Sequence, residues 1–218
     1  MPEIKAILFD LDGTLIDTKE LILTSFRQGS TDVLGEAIAD ELIVPLIGIP
    51  LIEQVRILAP DHVDELMAAY RLRNLELHDE LIAYYEGTRE MLDELKAEGR
   101  RLAVVTSKRN VPALEGLKSF DLEGYFEFVN GLEETEKHKP DPEPILVAAF
   151  RLGVDATECL YIGDSTYDML AARAAGSVAV AVLWGMGGHN ELLEAGAQYE
   201  AATPSELPGI IRSIEAGE

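Results

Sequence analysis

The chain has 218 residues, 47% of them hydrophobic, with a formal charge of -22 and a pI near 4.4. A chain of this length and composition buries a real core as one domain, or as one domain carrying an insertion, and disorder is excluded. The acidic balance argues against nucleic acid and anionic membranes as partners, while screening over about 8 Å leaves a local phosphate site in control of its own charge.

Cys159 is the single cysteine, which excludes an intramolecular disulfide and fits a small core residue in a reducing compartment. No basic start with an apolar h-region and no apolar run of membrane length stands out. The expectation is a soluble, cytoplasmic protein.

In chain order, the first apolar run is Ala6-Ile7-Leu8-Phe9, suited to a buried strand. Asp10 and Asp12 follow at i and i+2, then Gly13 and Thr14. A loop leaving that strand carries both carboxylates past its carboxyl edge, where open parallel α/β sheets bind ligands. Taken alone, Asp-Gly is also ordinary turn chemistry.

Residues 17 to 86 read as mostly helical, with apolar positions at three and four spacing in Leu21 to Phe26, Ala37 to Val44 and Val63 to Leu81. Breaks are expected at Gly29-Ser30-Thr31-Asp32 and at Gly48-Ile49-Pro50. From Thr88 onward helices and strands alternate. Thr88 to Glu98, Asn110 to Phe120, a helix opened by Asp141-Pro142, and Tyr167 to Ala175 are the helices; Leu102 to Val105, Phe126 to Val129, Leu160 to Ile162 and Val178 to Val182 are the strands. A last short helix is expected over 205 to 215. The alternation implies a doubly wound parallel sheet with right-handed crossovers.

Further chemistry sits at successive strand ends. Thr106-Ser107-Lys108 follows the second core strand, Lys139 stands at the mouth of a helix, and Asp164 and Asp168 follow another strand. Each has a plainer account: Thr106 as the close of a strand end, Lys108 and Lys139 as solvated surface lysines, and Ser165 with Asp168 as a capping box. Their joint occurrence favours one shared pocket.

The four stretches around Asp10, Thr106, Lys139 and Asp164, in this order, resemble the signatures of the haloacid dehalogenase superfamily, and the resemblance covers essentially the whole chain. It implies a Rossmann-like α/β core (1-16 and 88-218) with an inserted helical cap domain (17-87), hinged at Leu15 to Thr18 and Tyr85 to Thr88. It further implies a Mg2+-dependent phosphatase with Asp10 as nucleophile, Asp12 as general acid and base, and Lys139 bridging Asp10 and the phosphate. Thr106, Ser107 and Lys108 would hold phosphate oxygens. Mg2+ would be held by Asp10, the Asp12 carbonyl and Asp164, with Asp168 either ligating or supporting those that do.

Gly48-Ile49-Pro50 resembles the cap's substrate-facing loop, with a bare turn as the alternative. Beyond Lys19 the cap has no lysine for a Schiff base, Ile22 stands near the position where related sugar-phosphate mutases carry histidine, and Asp12 is absent from true dehalogenases. A phosphatase for a small phosphorylated metabolite remains. The pattern looks most like the phosphoglycolate phosphatase group, with the bacterial pyrophosphatase branch close behind and a non-catalytic phosphate-binding protein as the reading from another class. Arg27, Arg56, Arg71 and Arg73 are the cap's arginines that could meet a substrate carboxylate or second phosphate.

Overall fold

The computed structural model describes residues 4–217. Strand β1 (Ala6–Phe9) is apolar throughout because both of its faces are covered: Ile7 and Phe9 enter one hydrophobic layer, Ala6 and Leu8 the other. Then come β2 (Ile16–Asp17), α1 (Lys19–Leu34), α2 (Asp40–Ile43), α3 (Leu51–Leu58), α4 (Val63–Leu81) and β3 (Ala83–Tyr84). The rest of the chain runs through α5 (Thr88–Ala97), β4 (Arg101–Val105), α6 (Asn110–Lys118), β5 (Val129–Asn130), α7 (Glu143–Leu152), β6 (Cys159–Gly163), α8 (Thr166–Ala175), β7 (Val178–Val182), α9 (His189–Ala195), β8 (Tyr199–Ala201) and α10 (Leu207–Ala216).

The six core strands form one parallel sheet in the order β5-β4-β1-β6-β7-β8. From β1 the chain winds outward to β4 and β5, then returns to β6 on the other side of β1 and winds outward again. That reversal opens a crevice at the carboxyl ends of β1 and its neighbours. Alternate residues on each strand face α5, α6 and α10 on one side of the sheet and α7, α8 and α9 on the other. The doubly wound α/β class is as expected, and Cys159 is buried in the second layer.

Helices α1 to α4 close around a third apolar cluster that includes Phe26, Ile43, Val55 and Leu66. This helical cap region leaves and rejoins the sheet at β2 and β3, which pair antiparallel through Ile16 with Tyr84 and Asp17 with Ala83.

Several expected boundaries move. The break expected at Gly29 to Asp32 is absent, because α1 continues to Leu34 and stops at Gly35 in the left-handed conformation. Gly29 serves close packing instead of a turn: a Cβ there would lie 3.1 Å from the backbone nitrogen of Tyr70 on α4. Ser30 and Thr31 stay helical by giving their hydroxyl hydrogens to Phe26 O and Arg27 O one turn back.

The strand expected over Phe126 to Val129 is regular only at Val129–Asn130, although Glu127 N already donates to Leu102 O. Pro142 takes the N-cap of α7 and Asp141 sits one residue earlier, its Oδ1 accepting from Glu143 N at 3.0 Å. Helix α3 falls within the stretch expected to be mostly helical, whereas helix α9 and strand β8 are short and were not expected.

Candidate active site

The carboxyl end of β1 delivers Asp10 into the crevice. Its backbone nitrogen donates to Ile162 O at 2.8 Å, which ties the loop to β6. The Asp10 side chain is buried, and its Oδ1 lies 3.0 Å from Lys139 Nζ. That contact is outside hydrogen-bond alignment, and Oδ1 has no hydrogen-bond partner among the described residues. Burial pushes the Asp10 carboxyl up to about 7 against the pull of Lys139, with Asp168 and Asp12 adding to the rise.

Lys139 comes from the loop before α7 and is 2% exposed. Its Nζ donates to Asp168 Oδ1 at 2.6 Å and to the Tyr161 hydroxyl at 3.2 Å. Burial alone would lower this ammonium's pKa, but Asp10 and Asp168 together raise it, so it stays charged.

Asp168 is pinned from every side. Beyond Lys139 and Tyr161 at Oδ1, its Oδ2 accepts from Ser165 N at 2.9 Å and Ser165 Oγ at 2.6 Å. A carboxylate offers about four lone-pair sites; Lys139 and the two Ser165 donors meet three, and the single Tyr161 hydrogen is divided between Asp168 Oδ1 at 3.1 Å and Val105 O at 2.9 Å. The capping box at the start of α8 is formed, so the same side chain serves helix and site.

Asp164 ends β6. Its Oδ1 accepts from Thr14 Oγ1 at 3.3 Å and its Oδ2 from Met186 N at 2.8 Å. Burial pushes its carboxyl far up, with Asp168 and Asp10 adding to the rise. Oxygens of Asp10, Asp164 and Asp168 lie within 4.8 Å of one another, all buried. One ammonium cannot neutralise three such groups. The oxygen-only donor set and the unpartnered Asp10 Oδ1 fit a hard divalent cation.

Asp12 stands apart from that cluster. Its Oδ1 accepts from Thr18 Oγ1 at 2.8 Å and from Lys108 Nζ at 2.7 Å. Thr106 is held at the end of β4 by its amide, which donates to Asn130 O, and its Oγ1 accepts from Lys108 N at 3.2 Å. Ser107, expected on the phosphate, instead donates from Oγ to Gly48 O of the cap at 2.6 Å.

A cavity of about 980 Å³ joins these groups: Asp10, Asp12, Thr106, Ser107, Lys108, Lys139 and Asp164 line its floor, and the cap roofs it. Of the four cap arginines only Arg71 lines it. Arg27 is held by Asp40 and Glu20, and Arg73 by Asp32 and Glu76.

Two contributors escaped the sequence reading. Tyr161 looked like an ordinary strand residue, yet its hydroxyl lies 2.9 Å from Val105 O and touches both Lys139 and Asp168. The loop 183–188 wraps Asp164: besides Met186 N, a Cβ on Gly187 would lie 2.1 Å from Asp164 O, so only glycine fits. Trp184 Nε1 donates to Thr14 O at 3.0 Å and braces the opening loop. The run Trp184-Gly185-Met186-Gly187-Gly188 was the available signal, since clustered glycines mark close backbone approach.

A doubly wound sheet with buried carboxylates and one buried lysine at its switch point, under a helical cap, defines a hydrolase of the phosphatase class. The haloacid dehalogenase-like hydrolase pattern matches residues 7–182. The chain is 45% identical over 182 residues to a protein of Caldanaerobacter subterraneus subsp. tengcongensis named for pyrophosphatase PpaX, spanning 84% of this chain and 83% of that one. It is 38% identical over 204 residues to pyrophosphatase PpaX of Bacillus velezensis, 94% of each chain. The crystal structure of a hydrolase from Pseudomonas syringae superposes with a TM-score of 0.86 at 27% identity, covering 96% of this chain and 99% of that one. A predicted phosphoglycolate phosphatase from Haemophilus somnus gives 0.87 at 24% identity, with 96% and 99% covered, and so shares the fold. The chain belongs to the haloacid dehalogenase-like hydrolase family. No helix among the described residues is long and apolar enough to cross a membrane.

Proposed function

We propose that the protein is a Mg2+-dependent pyrophosphatase that works through an aspartyl-phosphate on Asp10. The observation that carries the chemistry is the juxtaposition of Asp10 with Lys139 at 3.0 Å beside the buried Asp164 and Asp168. The substrate is drawn from the relatives, which match nearly end to end and bear the pyrophosphatase name. This reverses the ranking that motif resemblance alone suggested, in which phosphoglycolate came first. Lys108, Arg109, Lys118 and Arg71 around the cavity give a second phosphate cationic company.

Asp10 and Asp164, with the Asp12 carbonyl, would hold Mg2+; Asp168, held by Ser165 and paired with Lys139, would support them and position Lys139. The ion neutralises the charge that would otherwise keep a phosphate dianion from a carboxylate. An Asp10 oxygen forms a bond to phosphorus while the bond to the leaving phosphate oxygen breaks. Asp12 Oδ1 is taken by Thr18 and Lys108, so Oδ2 is the oxygen that gives the leaving group its proton. Water then attacks phosphorus, Asp12 takes its proton, and Asp10 is released. Thr106 and Lys139 hold the transferring oxygens. In this reading residues 17–87 act as the cap that excludes bulk water. Cys159, buried and unpaired, supports a cytoplasmic setting.

The test is phosphate release from pyrophosphate and from phosphoglycolate, each with Mg2+ and with chelator. Pyrophosphate should lead in kcat/KM by about tenfold or more, a gap typical of sites that pair the correct charged group. Phosphoglycolate leading by the same factor would overturn the substrate and leave the Asp10 chemistry standing.

A further inference from the structure

Pyrophosphate, two phosphoryl groups sharing an oxygen, leaves most of a cavity of about 980 Å³ unfilled. Volumes of roughly 300–1,000 Å³ are those that house drug-sized organic ligands. What lines the unfilled part is the underside of the cap, and it is largely apolar: Ile22, Ile49, Ile52, Met67, Tyr70 and Leu75 face it.

This wall is more than the cap's own core seen from below. Within the cap, the cluster residues Phe26, Val55 and Leu66 are fully buried at 0%. Those that line the cavity keep a sliver of exposure, 8% for Ile22, Ile49 and Met67 and 9% for Tyr70. The residual surface of these side chains is therefore the cavity surface. Polar groups nearby are largely occupied within the cap. Gln54 Nε2 donates to Ile49 O, and Asn74 Nδ2 reaches Ser25 Oγ and the Tyr70 hydroxyl. Gln54 Oε1 has no partner and is itself buried, so it is closed off from the cavity. Arg71, His78 and Asp79 of the cap and Arg109, Glu115 and Lys118 of the core also line the cavity, but the stretch formed by Ile22, Ile49, Ile52 and Met67 offers the polar atoms of a sugar or nucleotide no side-chain partner.

We propose a second activity at the same centre: hydrolysis of phosphomonoesters whose leaving group is an extended apolar alcohol, with the apolar part of the cap's underside as its binding wall. The inference rests on the Asp10 reading. The Asp10 oxygen–phosphorus bond forms as the phosphorus–alkoxy bond breaks, Asp12 protonates the departing alcohol, and water then releases phosphate, so ester and water become alcohol and phosphate.

The experiment measures kcat/KM for n-alkyl phosphates from ethyl to octyl, with pyrophosphate alongside. Leaving-group basicity hardly changes along this series, so the slope reports burial. It should rise about three- to fourfold per methylene and then level off as the wall is filled. Leu75→Ser, at a position 73% exposed and so harmless to folding, should flatten the upper part of the rise without touching pyrophosphate. In ω-hydroxyalkyl phosphates the hydroxyl should lower kcat/KM at every length that carries it onto the apolar wall. A flat alkyl series with pyrophosphate turnover intact overturns the inference alone. A rising series without pyrophosphate turnover overturns pyrophosphate as substrate alone. Turnover of neither overturns both.

Discussion

The sheet edge and the cap solve opposite problems within one cavity. At the sheet edge, Asp10, Lys139, Asp164 and Asp168 are all buried, with Lys139 beside both Asp10 and Asp168 and the three carboxylates within 4.8 Å of one another. In the cap, ion pairs such as Arg27 with Asp40 and Arg73 with Asp32 lie away from the cavity, whose cap lining is mainly isoleucine, leucine, methionine and tyrosine with Arg71, His78 and Asp79 among them. Charge is thus concentrated where phosphoryl transfer needs it, in a region of low dielectric that strengthens it. The cap supplies shape, dryness and few charges.

The two regions also differ in how they are fastened. Asp10, Thr106 and Asp164 sit on strand ends, and strands cannot shift without breaking the sheet. The cap meets the core through contacts that can be broken singly: Ser107 Oγ to Gly48 O at 2.6 Å, Tyr167 OH to Pro45 O at 3.2 Å, and Met186 packed on the cap's cluster. Met186 is notable because its backbone nitrogen holds Asp164 while its side chain touches the cap.

Substitutions that break the sheet-edge network should therefore cost most. Asp10→Asn, nearly isosteric, should lower phosphate release by about 10⁴-fold or more, as loss of a nucleophile does, with the thermal midpoint little changed. Activity near that of the wild type would exclude the aspartyl-phosphate. Lys139→Met, which keeps the volume and strips the charge, should cost about 3–5 kcal/mol in denaturant unfolding because it leaves buried carboxylates unanswered. Added Mg2+ should recover part of that loss. A stability equal to wild type would mean the pairing is weaker than its 2.6 Å and 3.0 Å separations imply.

A third variant probes the seam between the regions. Gly187→Ala forces a Cβ against Asp164 O and should destabilise by about 1–3 kcal/mol. It should also weaken Mg2+ binding, read from the fluorescence of Trp184, the chain's single tryptophan. Unchanged metal affinity would show that the 183–188 loop shapes only the surface. The smallest effects belong to the cap contacts. Tyr167→Phe and Ser107→Ala should each cost about 1 kcal/mol or less of stability and raise KM several-fold with kcat nearly constant. Equal losses in kcat would place Ser107 on the phosphate after all and erase the contrast drawn between edge and cap.

Much of the sheet edge was legible in the chain. Asp10 and Asp12 are adjacent in sequence to a strand of unmistakable composition, and the same holds for Thr106 after β4 and Asp164 after β6. Strand ends announce themselves because the apolar run stops and a polar residue begins. The Ser165–Asp168 box could be read because its partners lie three residues apart. The Gly29 to Asp32 stretch misled because glycine marks a turn and a close helix crossing equally well, and only Tyr70 on α4 distinguishes them.

The sequence by itself therefore determined the fold class, the order of the strand-end groups and the pair of carboxylates that follows β1, since each depends on residues within a few positions of one another. Tertiary structure alone decided the rest. Tyr161 joins Lys139 across 22 positions, Lys108 joins Asp12 across 96, Met186 joins Asp164 across 22, and Ser107 meets Gly48 across 59. The cap's wall became visible only when helices far apart in the chain turned their part-exposed faces to one cavity. Contacts of that kind leave no local pattern, because they are chosen by how helices and sheet pack once each has formed.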